Sequence, residues 1–146
     1  MASDARQRYY KTGEVVLVDG IPSIEKAKTM NEFWGRAADY YRNPKRVGSA
    51  EKYAPMRAAM SLDTRYAFNP SEKMELIGGF SFLAIVGSQA LSVYFSEIAV
   101  ENGLKAWIYA ELFKIEGAHY FDLYDQEKYV EQAVIKLDDF FTSKFK

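Results

Sequence analysis

Cysteine is absent from this chain of 146 residues, and histidine occurs once, at position 119. The lack of cysteine removes disulfides, thiolate metal sites and thiol nucleophiles together, and it fits a cytosolic protein. With one histidine, only a carboxylate-rich oxygen site remains open to a metal, and no Asp/Glu run has the spacing of a calcium loop. No metal and no cofactor are therefore expected. Charge is balanced: 19 Lys+Arg stand against 20 Asp+Glu, a net charge of -1, so there is no global pull toward nucleic acid. Gly78-Gly79 is not followed by the Lys-Ser/Thr of a phosphate loop. The most apolar run, Ile77 to Val86, is interrupted by Gly78, Gly79 and Ser81 and is too short to span a bilayer. Met1-Ala2-Ser3-Asp4-Ala5-Arg6 has no apolar signal region. These readings predict a cytoplasmic protein without nucleic-acid or membrane partners.

Aromatic residues are abundant, at 16% with eleven Tyr and ten Phe. They point to a core of large side chains, or to an apolar pocket or interface. At 49% hydrophobic and 27% charged, the composition is that of a globular chain, and the length suits one domain, 1–146.

Along the chain, Ala5 to Tyr10 continues a helix, and Glu14-Val15-Val16-Leu17-Val18 reads as a short strand before the turn Asp19-Gly20. Ser23 is a candidate N-cap of a short helix and Asn31 of a longer one, in which Phe33, Trp34, Ala37, Ala38 and Tyr41 share a face. Asn43-Pro44 stops that helix. Arg42 to Gly48 reads as a solvated basic turn, with a phosphate or carboxylate contact as the alternative. A broken helical region is expected from Ser49 to about Leu62, with Pro55 at a helix start. Asp63 to Pro70 reads as irregular, and residues 71–77 as a short helix closed by Gly78-Gly79.

The last third has a different pattern. Phe80 to Val86 reads as a strand covered on both faces. Ser92 to Asn102 reads as a helix with Gly103 as its C-terminal cap. Trp107 to Ile115 reads as a second strand. Asp125 is the candidate N-cap of a final helix, in which Tyr129, Val130, Ala133, Val134, Leu137, Phe140 and Phe141 recur at steps of three and four. Strand, helix, strand, helix predicts an α/β fold built on a parallel βαβ unit. Two parallel strands leave both edges and both faces to be covered. The Glu14–Val18 strand, a second copy of the chain or a separate partner would complete them.

Several stretches, in order, resemble the C-terminal half of α/β-hydrolase-fold proteins of the dienelactone hydrolase and X-prolyl-peptidase-like branch. They are Arg6-Gln7-Arg8-Tyr9 with Gly13-Glu14-Val15, Ala38 to Pro44, Leu83 to Ser88, Tyr94-Phe95-Ser96-Glu97, and Glu116-Gly117-Ala118 through Asp122-Leu123-Tyr124-Asp125. The resemblance implies that 21–75 is a helical cap-like insertion and that 80–146 is a βαβα unit ending the hydrolase sheet; because that sheet is left open, dimerisation is expected to complete it. It departs from the family in two ways. No serine stands in the Gly-x-Ser-x-Gly nucleophile turn of such enzymes. Tyr120 occupies the family's histidine position, and His119 lies one residue earlier.

A hydrolytic triad needs a nucleophile, an imidazole and an acid that orients it. His119 is the candidate base, with Glu116, Asp122 and Asp125 as nearby acids and Ser88 or Ser92 as nucleophile candidates. The catalytic candidates are thus His119 and Asp122. Against this, His119 reads as a loop histidine bonded to backbone, and Asp122 as a turn acceptor. Trp34, Tyr41, Tyr66 and Tyr120 are the candidate ligand-binding aromatics. Three functions follow: a homodimeric interaction or small-molecule-binding module without self-sufficient catalysis, one part of a split hydrolase whose other chain bears the nucleophile, or an esterase-like hydrolase acting on a small ester or amide.

Overall fold

The computed structural model describes residues 1–49 and 56–144. They form two compact units, Met1–Phe68 and Asn69–Lys146.

In the first unit, helix α1 (Ala2–Thr12) runs beyond the expected Ala5–Tyr10 and ends at Gly13, whose left-handed backbone suits a helix terminus. Buried Ala5 lies on the face by which α1 meets the 3₁₀ turn Ala59–Ser61. Strand β1 (Leu17–Asp19) pairs antiparallel with β2 (Met56–Ala58), with Leu17 opposite Ala58. Strand β2 falls where a broken helix was expected, because its backbone groups pair with β1 and not along a helix. The expectation for Pro55 lies outside the described residues. Helices α2 (Ile24–Ala27) and α3 (Glu32–Arg42) start as predicted. Ser23 accepts from the Lys26 N–H at 3.3 Å, and Asn31 accepts from the Trp34 N–H at 3.3 Å. Buried Ala37 and Ala38 give α3 its inward face. Helix α4 (Leu62–Ala67) replaces part of the expected irregular segment.

The basic turn folds back on its own unit. Arg42 donates to the Ile21 carbonyl and lies 3.8 Å from Asp19. Arg46 pairs with Asp39 at 2.6 Å, and its guanidinium stands 5.3 Å from the Tyr40 ring centroid. A contact with carboxylate does form, and the carboxylates belong to the chain itself.

The second unit carries the predicted parallel pair. Strands β3 (Phe82–Gly87) and β4 (Ala110–Ile115) align in parallel from Phe82 opposite Ala110 to Gly87 opposite Ile115, joined through helix α5 (Val93–Lys105). Among the described residues this sheet has two strands, and β1 pairs in the other sheet. The fully covered strand expected at Phe80–Val86 is half-buried from Phe82 to Ile85 and buried only at Val86 and Gly87. A 3₁₀ turn, Met74–Ile77, stands within the helix expected at 71–77. One-turn helix α6 (Asp122–Asp125) and long helix α7 (Glu127–Lys144) close the unit. The Gln126 carbonyl accepts from the Tyr129 and Val130 N–H groups, so the N-cap of α7 falls at Gln126 and not at Asp125, which ends α6.

Gly103 is not the cap of α5. It is a buried residue inside the helix, and a Cβ there would stand 2.9 Å from the Ala110 Cβ. The glycine permits close helix–strand approach. The cap lies further on, and it displaces the start of β4 from Trp107 to Ala110. The Ile108 N–H reaches the Gly103 carbonyl at 3.0 Å and the Trp107 N–H reaches the Leu104 carbonyl at 3.1 Å. This is the bonding of a Schellman turn, which favours glycine at its left-handed position. Trp107 occupies it at φ 60, with 97% of its surface exposed.

Helix α7 is tied to β4 by charge as well as by packing. Lys136 donates to Glu111, and this bond holds the Glu111 carboxyl below the usual carboxylate range and raises the Lys136 ammonium above its ordinary value. The Glu111 contribution is complete above the ordinary glutamate pKa and is lost as pH falls through the depressed value. The Lys136 contribution is complete below the ordinary lysine pKa and is lost in strong alkali.

Two outcomes are expected. Trp107→Gly should raise the thermal midpoint, since relief of a left-handed non-glycine residue is worth on the order of 1 kcal/mol; calorimetry measures it. Glu111→Gln should lower the midpoint at neutral pH and flatten its fall with acidification, as followed by circular dichroism across a pH series.

Candidate functional site

Ligands of parallel α/β sheets bind beyond the carboxyl ends of the strands. Here those ends are the turns after Gly87 and after Ile115, and they are fastened together. Ser88 donates its N–H to the Ile115 carbonyl at 2.9 Å, and Gln89 donates to the Ala118 carbonyl at 2.9 Å. The Ser88 hydroxyl accepts from the Gly117 N–H at 2.9 Å. Gly87 makes this possible, because a Cβ would lie 2.2 Å from the Ala118 carbonyl oxygen. Tyr129 of α7 donates its phenol to the Gly117 carbonyl at 3.1 Å.

Asp122 is buried and engages both carboxylate oxygens. Oδ2 accepts from the His119 backbone N–H at 2.9 Å, and Oδ1 accepts from the Gln126 side-chain amide at 2.6 Å. These bonds are those of a turn acceptor. They brace the segment that carries His119, which is half-buried. Tyr120 stacks edge-on with Phe121 at 4.7 Å and Tyr124 at 6.1 Å.

The other candidates are more scattered. Ser92 immediately precedes α5, and Glu116 and Asp125 flank the bonded turn. Trp34 and Tyr41 lie on α3 and Tyr66 lies on α4, where it is 89% exposed. Trp34 contacts Phe33 and Tyr41 contacts Tyr40 edge-on. One cleft of about 530 Å³ is lined by Asn69, Glu72, Met74, Glu75, Asn102, Lys105 and Ala106. Another, of about 270 Å³, is lined by Met1, Asp4, Ala5, Arg8, Val16, Val18 and Ala59. Neither includes His119, Asp122 or the four aromatic candidates. Among the described residues, no group of three or more His, Asp or Glu could hold a metal ion, and no helix is long and apolar enough to cross a membrane.

Sequence reasoning missed Gln126, Tyr129 and Gly87. The four-residue step from Asp122 to Gln126 was the legible signal for the first. The role of Gly87 depends on an approach that only the paired strands create.

Bracing by Asp122 predicts a specific contrast. Asp122→Ala should cost about 1 kcal/mol, because it removes the partner of the His119 N–H in a part-buried turn. His119→Ala keeps that bond, which comes from its backbone N–H. Urea unfolding of both variants measures the difference.

No protein family and no curated protein matches the chain. Solved structures do. The hypothetical protein PA2218 from Pseudomonas aeruginosa aligns at a TM-score of 0.73 and 21% identity, over 98% of this chain and 43% of its own. DcsB, solved in complex with its substrate analogue, aligns at a TM-score of 0.74 and 14% identity, over 98% of this chain and 48% of its own. This chain therefore spans less than half the length of the proteins whose fold it shares.

Proposed function

We propose that this chain is an α/β-hydrolase-like assembly module that associates with itself, and that it does not complete a hydrolytic reaction alone. The observation that carries this reading is unfinished burial in the unit Asn69–Lys146. Tyr94, Phe95 and Ile98 of α5 are 47%, 59% and 41% exposed, beside a parallel sheet of two strands among the described residues. Parallel sheets occur almost only with both faces covered, and contiguous exposed apolar surface marks interaction sites.

A split hydrolase is the second reading, favoured by one observation: the lone histidine stands just past the carboxyl end of β4, in the turn braced by Asp122. On that reading the nucleophile comes from another chain.

Light scattering after size exclusion, combined with a chromogenic acetate ester assay, separates these readings. The expected result is a mass at a multiple of 16.7 kDa, with no hydrolysis above buffer. A cooperatively folding monomer would overturn the assembly reading. Hydrolysis by the pure chain, abolished in His119→Ala, would overturn the claim that it is not self-sufficient.

A further inference from the structure

Two packing demands meet at adjacent residues of α5 and together produce a chemically labile pair. Position 103 calls for glycine, because a Cβ there would stand 2.9 Å from the Ala110 Cβ and 3.5 Å from the Met74 Cε. Position 102 uses an amide: the Asn102 Nδ2 donates to the Ser71 carbonyl at 2.9 Å and ties α5 to the first residues of its unit. The result is Asn-Gly. An asparagine side chain is open to attack by the backbone nitrogen of the next residue, and glycine, without a Cβ, hinders that attack least. The other three asparagines lack this arrangement. Asn43 and Asn69 precede Pro44 and Pro70, which carry no N–H, and Asn31 precedes Glu32.

We propose that Asn102-Gly103 is a latent deamidation site, shut by the fold and opened when the C-terminal turns of α5 unwind. In the reaction the Gly103 nitrogen gives up its proton and bonds to the Asn102 Cγ. The Cγ–Nδ2 bond breaks, and the amide nitrogen leaves with a proton as ammonia. Water then opens the cyclic imide at either carbonyl, giving aspartate or isoaspartate. In the folded chain Gly103 lies inside α5, so its N–H is committed to the carbonyl one turn back. Helical dihedrals at Asn102 must also change before the ring can close, and the bond to Ser71 holds the amide in place.

The weak part of this lock is the cap. The Asn102 and Gly103 carbonyls accept from the Ala106 N–H at 3.0 and 3.1 Å, and the Gly103 carbonyl accepts from the Ile108 N–H at 3.0 Å. Those bonds depend on Trp107 staying at φ 60, a conformation that disfavours a side chain, and Trp107 is too exposed for packing to hold it there. The change is one-way. A carboxylate at 102 cannot donate to the Ser71 carbonyl, and it adds negative charge beside Glu101 in the last turns of a helix, where the dipole disfavours it. Isoaspartate also lengthens the backbone next to the contact of Gly103 with Ala110. A chain that has opened once is thereby marked, and it closes less well afterwards.

Peptide mass spectrometry tests this on the whole chain, incubated in mildly alkaline buffer with and without guanidinium chloride. Trypsin releases Met74–Lys105, in which Asn102 is the one asparagine. The expected result is amide-to-acid conversion at Asn102 in denaturant, with the folded chain at least about tenfold slower. No conversion in denaturant, or equal rates in the two states, would overturn the proposal. Trp107→Gly should slow conversion of the folded chain severalfold and leave the denatured rate unchanged. A folded rate equal to the parent's would overturn the part assigned to the cap. Asn102→Asp, made directly, should unfold at a lower urea concentration than the parent, and equal stability would overturn the claim that conversion impairs closure.

Discussion

The parallel ladder between Phe82–Gly87 and Ala110–Ile115 is the constraint on which the rest of the second unit depends. Parallel strands cannot be joined by a tight turn, so α5 must cross between them. For α5 to lie close to the ladder it needs Gly103 at its point of contact with Ala110, and for the two strand ends to be fastened together the chain needs Gly87 against Ala118. These two glycines occupy positions where the backbone approaches a neighbour too closely for a side chain. The turns are then closed by Ser88, Asp122 and Tyr129, each bonding to backbone.

That arrangement holds together locally and leaves its outer surface unfinished. Apolar side chains on α5 and α7 face solvent, as does Trp107 at a backbone conformation that favours glycine. A domain of this size ordinarily buries such residues. Exposure on several elements at once is the surface on which the proposed association rests. The assembly reading is proposed from this surface, and it is independent of whether any chemistry occurs at His119.

Much of the fold was legible because the relevant signals are local. Ser23 and Asn31 cap their helices through their own side chains, and Pro44 ends α3 through its own ring. The apolar run in β3, the helical pattern of α5 and the second apolar run gave the parallel pair. Misreadings came where a distant partner decided. Strand β2 exists because β1 pairs with it, and Gly103 looked like a cap until Ala110 was found against it. In the site, the alternative roles of Asp122 differed only in where its oxygens point, and no spacing records that.

Composition and periodicity by themselves determined the α/β class, the parallel crossover, the absence of thiol chemistry and the 3-4 spacing along α7, since each is a property of residue identity and sequence separation. Tertiary structure alone decided that Asp122 braces the His119 backbone, that Arg42 and Arg46 turn inward to Asp19 and Asp39, and that Lys136 of α7 reaches Glu111 of β4. Those choices depend on the distances between segments far apart in sequence, which a one-dimensional pattern does not contain.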